Sequence, residues 1–197
     1  GDTTHRAKVA AKLLEIAGHT DVPVAIGIHQ GDGDGPQAEW VADYDLDAYP
    51  GEVIADGVQA LIDTIMGAPE PITLIAIGPV PNIAAALERE PRIADNARFV
   101  GMHGSVRLGY NGAPETNAEY NVKADAAACR AAFAAPWEVT ITPLDTCGLV
   151  RLTGAAYAQV RDSDNPLARA VMENYRIWAP NVSWTQTDPE TASSVLF

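Results

Sequence analysis

Ile72-Thr73-Leu74-Ile75-Ala76-Ile77-Gly78-Pro79-Val80-Pro81-Asn82 reads as a brief apolar run with a β-branched bias that stops at a turn. Two prolines forbid a continuing strand and remove two amide donors. From Asn82 the sequence Ile-Ala-Ala-Ala-Leu has helical composition. A buried strand that ends abruptly and feeds a helix is the half-unit of an open α/β sheet. In such sheets ligands gather beyond the carboxyl ends of the strands, where the carbonyls of Gly78 to Pro81 are expected. Carbonyl oxygens suit a hard cation. On spacing alone, however, a plain strand-to-helix turn without a ligand is the preferred reading.

The same alternation continues in both directions. Asp2, Thr3 and Thr4 cap a helix expected over about His5–Ala17, and Gly18 ends it. Val22–Ile28 reads as a strand, Glu52–Met66 as an amphipathic helix, and Asn82 to about Arg89 as another helix. Further on, Arg98–Met102 is a strand, Ala124–Ala134 a helix and Val139–Leu144 a strand ending at Asp145-Thr146. Thr153–Val160 and Leu167–Trp178 complete the helices, the last with a Val171, Met172, Tyr175, Trp178 stripe read as core. The β-α order predicts an α/β fold with an open, mostly parallel sheet and helices on both faces, Rossmann-like in character.

On 197 residues, 13 Lys and Arg stand against 26 Asp and Glu, for a net charge of −13. That balance argues against nucleic acid and against an anionic membrane as partners. It suits a cation or an uncharged substrate. Cys129 and Cys147 have no spacing for a zinc site or a disulfide framework, and Cys129, set among alanines, reads as a small buried hydrophobe. No apolar run is long enough to span a bilayer, and no signal peptide is recognised, so a cytoplasmic setting is expected. Gly1-Asp2 leads straight into a helix, and Ser193-Ser194-Val195-Leu196-Phe197 reads as an apolar segment just beginning. A fragment cut at both ends is therefore expected, residues 1–197 being part of one domain.

Two polar loops stand out. His29-Gln30-Gly31-Asp32-Gly33-Asp34-Gly35-Pro36 is neither a Walker loop nor an EF-hand. A lid over a polar ligand and a solvated loop are equally good readings of it. Met102–Asn121 is long and rich in amides, hydroxyls and glycines. Loops of that length in compact α/β domains usually carry function. Its Asn111, Asn117, Glu119 and Asn121 combine a carboxylate with amides, which can both donate to and accept from the vicinal hydroxyls of a sugar.

Gly-Pro-Val-Pro-Asn followed by Ile-Ala-Ala-Ala-Leu resembles the Gly-Pro-Leu-Thr-Asn turn and helix of the inosine-uridine nucleoside hydrolases. Glu90-Pro91-Arg92-Ile93 follows in place. Met102-His103-Gly104-Ser105 is similar to the family's Met-Gly-Gly strand end, and Ala118-Glu119-Tyr120-Asn121 to its Ala-Glu-Phe-Asn. Lys123-Ala124-Asp125-Ala126-Ala127-Ala128, then Val139-Thr140-Ile141-Thr142-Pro143-Leu144-Asp145, resemble the next helix and strand, and Lys12–Gly18 fits near the start. The ordered set covers nearly the whole chain.

The resemblance implies a nucleoside hydrolase fold and a calcium-dependent N-glycosidase acting on purine or pyrimidine ribonucleosides, as a homodimer or homotetramer. In the family an Asp-rich motif at the first strand end holds Ca2+, and one aspartate activates the calcium-bound water that attacks the anomeric carbon. Carried over by position, Pro81 offers the ion a backbone carbonyl where the family has threonine. Asp2 stands where an asparagine beside the sugar is usual. Met102 lies near the sugar, Asn111 matches the loop asparagine, and Glu119 and Asn121 match the groups that hold ribose hydroxyls. His103, in place of a glycine, is expected to narrow the pocket, and Trp178 or Trp184 to offer a stacking surface. No residue here matches the Asp-rich motif, so the resemblance implies a chain inactive by itself. A non-catalytic nucleoside or sugar binding module, and an α/β domain whose loops merely resemble the family, are the alternatives.

Overall fold

The computed structural model describes residues 2–31, 33, 35–182 and 188–193. Asp32 and Asp34 of the glycine-rich loop, Trp184 and the final 194–197 lie outside the described residues. The chain is α/β, with parallel strands and intervening helices, and falls into two compact units divided after Asp56 and after Val150.

The first unit opens with helix α1, Thr3–Ala17. Asp2 is its N-cap, accepting from the Thr4 amide at 2.8 Å, and Gly18 terminates it at φ 73°, a left-handed conformation glycine adopts without strain. Strand β1, Val24–Ala25, pairs in parallel with β2, Val53–Ile54. Both are far shorter than the expected Val22–Ile28 strand, and β2 occupies the start of the helix expected over Glu52–Met66. Val53 and Ile54 fit a helical apolar face in a local window. Ladder bonds from Val24 N to Glu52 O (2.9 Å) and Ile26 N to Ile54 O (2.8 Å) hold them extended instead. The unit closes with α6, Gly154–Arg161, and α7, Pro166–Trp178, whose N-cap Asn165 accepts from the Leu167 and Ala168 amides. One small core gathers Ala7, Ala11, Val24, Leu46 and Tyr49, and another gathers Trp40, Val41 and Ala170. On α7 the expected stripe is only partly core, since Met172 is buried but Val171 is exposed.

The second unit begins with α2, Gly57–Gly67. Strands β3, Ile72–Ala76, β4, Ala97–Gly101, and β5, Val139–Ile141, form a parallel sheet in that order. The register runs from Ile72 opposite Ala97 to Ala76 opposite Gly101, then from Phe99 opposite Val139 to Gly101 opposite Ile141. Helix α3, Pro81–Arg89, follows β3, with Pro81 in the first turn, where its missing N–H is harmless. Short α4, Tyr120–Ala124, and α5, Ala126–Ala134, connect β4 to β5. Helices α2, α3 and α5 bury one sheet face around Ala76, Ala97, Phe99, Ile65, Ile83 and Ala132. The Trp137 ring stacks on Phe99 at 5.8 Å, and its indole N–H donates to Ala132 O. Cys129 lies in this core as the small hydrophobe its setting suggested, and burial pushes its thiol pKa up. The alternate residues Thr73, Ile75, Arg98 and Thr140 are exposed, Ile75 by 68 %. No helix among the described residues is long and apolar enough to cross a membrane.

Candidate functional site

Three segments converge at the carboxyl end of the three-stranded sheet: the turn after β3, the end of β4 with its loop, and the start of α4. Met102 N donates to Ala76 O at 2.9 Å, carrying the β3–β4 pairing one residue past the strands. The next residue, His103, reaches across with Nε2 3.1 Å from Gly78 O. The start of the long polar loop and the Gly78–Pro81 turn are therefore neighbours, joined by the His103–Gly78 hydrogen bond beside the Met102–Ala76 bond that extends the sheet.

Glu119 is 3 % exposed and is the N-cap of α4. Its Oε1 accepts from the Asn121 amide at 2.7 Å, and its Oε2 from the Val122 amide at 3.1 Å and the Gly104 amide at 3.0 Å. Three backbone donors thus fix one carboxylate, and the last of them ties α4 to the end of β4. A carboxylate has about four lone-pair directions, so this anchoring leaves acceptor capacity. Asn121, also buried, donates from Nδ2 to Met102 O at 2.9 Å, with Met102 Sδ at 3.2 Å. Bonding to a carbonyl fixes which end of the amide is nitrogen. The Asn121 side-chain oxygen is then the end directed away from that carbonyl.

The loop between these groups is braced from within. Asp145, just beyond β5, accepts from the amides of Val106 (2.9 Å), Arg107 (2.7 Å) and Leu108 (3.2 Å). Those bonds, led by Val106, hold its carboxyl below the usual carboxylate range. Asn117 Oδ1 accepts from the Tyr110 amide, and its own N–H donates to Ser105 Oγ. Tyr110 Oη accepts from the Tyr120 amide at 2.8 Å, next to Glu119, and burial raises the Tyr110 phenol. Asn111 lies at a left-handed φ of 57° in the same loop and is exposed. Sequence reasoning took Asp145 only as a strand end and passed over Tyr110. An aspartate directly after a strand, opposite a loop rich in free amides, was the available signal for Asp145.

Of the residues expected at a sugar, the structure brings Met102, Glu119 and Asn121 into one bonded cluster and places Asn111 in the adjoining loop. Asp2 belongs to the other unit, where its carboxylate caps α1. Trp178 also lies in that unit, on α7, with Tyr175 at 5.9 Å between ring centroids. His103 does not line the loop. It is fully buried between Phe99 and Phe133, because the glycine two residues earlier leaves room for the ring.

The described residues do not fit a calcium site. No group of three His, Cys, Asp or Glu side chains that could hold a metal occurs among them. In the turn, Gly78 O receives His103 and Val80 O receives the Ala84 amide. Pro81 is the first residue of α3, so its carbonyl follows the helix axis. A calcium ion gathers about six to eight oxygen ligands, and this cluster supplies a single carboxylate, already held by three amides.

This arrangement of parallel strands, turn and capped helix accompanies a match to the family described as inosine-uridine preferring nucleoside hydrolase, over residues 1–196. The chain belongs to that family. It is 31% identical over 185 residues to the inosine-uridine preferring nucleoside hydrolase of Crithidia fasciculata, covering 83% of this chain and 55% of that protein. It is 41% identical over 95 residues to the non-specific ribonucleoside hydrolase RihC of Salmonella paratyphi B, covering 48% of this chain and 30% of that one. The chain thus spans about half the length of the Crithidia relative, and less of RihC. Among solved structures, the plant nucleoside hydrolase PpNRh1 shares the fold with a TM-score of 0.72 at 23% identity, over 91% of this chain and 59% of that one.

Proposed function

We propose that residues 1–197 form part of a single nucleoside hydrolase domain, and that the Met102, Glu119, Asn121 cluster with Asn111 is its wall for the ribose of a ribonucleoside. The observation that carries this reading is the Glu119 carboxylate, buried and immobilised by three amides beside the Asn121–Met102 pair. An acceptor fixed before the substrate arrives grips vicinal hydroxyls without reorganising.

In the hydrolysis a water oxygen bonds to the anomeric carbon as the bond from that carbon to the base nitrogen breaks. The base leaves with the bonding pair and takes up a proton. Positive charge gathers on the sugar ring in between, as in other glycoside cleavages. A fixed carboxylate at the hydroxyls favours that charge and holds the ring in place. The general base and the carboxylates for Ca2+ belong, on this reading, to residues outside this sequence, so the chain by itself does not turn over. Family resemblance supports both assignments, together with an assembly of two or four copies.

The test is a ribose and inosine titration of the purified chain, read by calorimetry, with an assay for release of free base. Binding of ribose that weakens at least tenfold in Asn121→Ala is expected, with no base released. Equal ribose affinity in both proteins would overturn the ribose wall. Base release by the chain alone would overturn the proposal that it is inactive.

A further inference from the structure

We infer that His103 is a positioning residue that latches the Gly78–Pro81 turn to the end of β4, holding the turn at a fixed distance from the Met102–Asn121 cluster. Val80 is buried in the core and its carbonyl receives the Ala84 amide, but Pro79 and Pro81 lack amide hydrogens, so Gly78 O must be held by a donor from elsewhere. His103 provides that donor. Gly78 O can only accept, so Nε2 carries a proton, and with Nδ1 buried and unpartnered the neutral Nε2–H tautomer is the form that fits.

The surroundings of the ring are built for this one bond. It is fully buried, 5.7 Å from Phe99 and 5.8 Å from Phe133 between centroids, the latter edge-on at 86°. A Cβ on Gly101 would lie 2.5 Å from His103 Nδ1 and 2.6 Å from the Phe99 ring, so glycine there opens the slot. Nδ1 itself is buried with no hydrogen-bond partner among the described residues. A phenylalanine or leucine would fill an apolar slot without an unpaired ring nitrogen, but would take away the donor to Gly78 O. A histidine in this place is accounted for by what Nε2 holds. Its chain neighbours carry the consequence to the cluster, since Met102 O receives Asn121 and Gly104 N binds Glu119.

The functional value of the latch rests on the ribose-wall reading, whereas its existence does not, and the experiment separates the two. Amide exchange across 78–84 is compared in the wild-type chain, His103→Phe and His103→Gln, followed by ribose titration of each. His103→Phe keeps the packing and removes the donor, and exchange across 78–84 is expected to rise about tenfold with the unfolding midpoint unchanged or higher. His103→Gln restores a side-chain N–H and should recover protection in part, which a purely packing role would not produce. Wild-type exchange in His103→Phe overturns the latch. Should that variant not fold, ring 15N shifts of the wild-type chain decide: a proton on Nε2 at neutral pH supports the latch, and an Nδ1–H ring with bare Nε2 overturns it. A latch seen by exchange in a chain that binds no ribose leaves the latch standing and removes the ribose reading.

Discussion

Beside the sugar contact proposed for it, Glu119 has a structural role that can be measured without any ligand. Its carboxylate satisfies the amides of Gly104, Asn121 and Val122 in a buried setting. Glu119→Ala strands those donors, and an unfolding free energy lower by about 1–3 kcal/mol is expected in urea titration. Ribose binding lost with this variant is therefore not by itself proof of substrate contact, whereas Asn121→Ala removes a smaller share of the scaffold. Both residues stood out in the sequence as a carboxylate and an amide of the long polar loop, and the structure brings them into one cluster. What could not be read there was that the Glu119 carboxylate is also a helix cap. Nothing local says that Gly104, fifteen positions away, turns its amide to it. The burial of His103 was equally hidden, since it depends on a gap at Gly101 that only the packed sheet defines.

At the scale of elements, caps and strand ends were the most legible features and paired strands the least. Asp2, Gly18 and the Gly78–Pro81 break mark their boundaries by chemistry contained within a few residues. The β1–β2 ladder was missed because its partner strand lies on the far side of the glycine-rich loop, and the Val53–Ile54 spacing satisfies a helical face as well as a strand. The Asn165 cap of α7 is of the legible kind, and Asn165→Ala is expected to cost about 1 kcal/mol in thermal or chemical unfolding. Asp145 acts on a whole loop through three amides. Asp145→Ala should expose the Ser105–Tyr110 segment to limited proteolysis at a protein concentration and temperature where the parent chain is resistant. Release of that segment without global unfolding is the outcome that fits; cleavage elsewhere first would not fit.

For the molecule as a whole, His103 and Glu90 are two of the groups whose titration shapes how stability follows pH. Burial holds the His103 ring below its ordinary value of 6.5. As pH falls through that value, the unfolded chain takes up the proton first, so acid favours unfolding. The stability in question is complete above about pH 6.5 and declines below it, and His103→Phe should flatten that part of the curve. Glu90 responds further into acid. The Arg92 guanidinium, bonded to both its carboxylate oxygens, holds its pKa down to about 2, against 4.5 unperturbed. Its contribution is present above pH 4.5 and is lost as pH drops towards 2. Unfolding midpoints measured from pH 8 to pH 3 are expected to show the histidine step in the wild-type chain and not in His103→Phe.

The exposed isoleucines of the three-stranded sheet have a practical outcome in the tube. Ile75 and Ile77, each 68 % exposed, lie together at the end of β3 as an apolar pair open to solvent. Purified chain should therefore light up the dye ANS and scatter more light as ionic strength screens its net −13 charge. Ile75→Lys, which alters no hydrogen bond described above, should quench the dye signal and keep concentrated samples clear. Dye fluorescence unchanged by that substitution would mean the colloidal behaviour originates elsewhere.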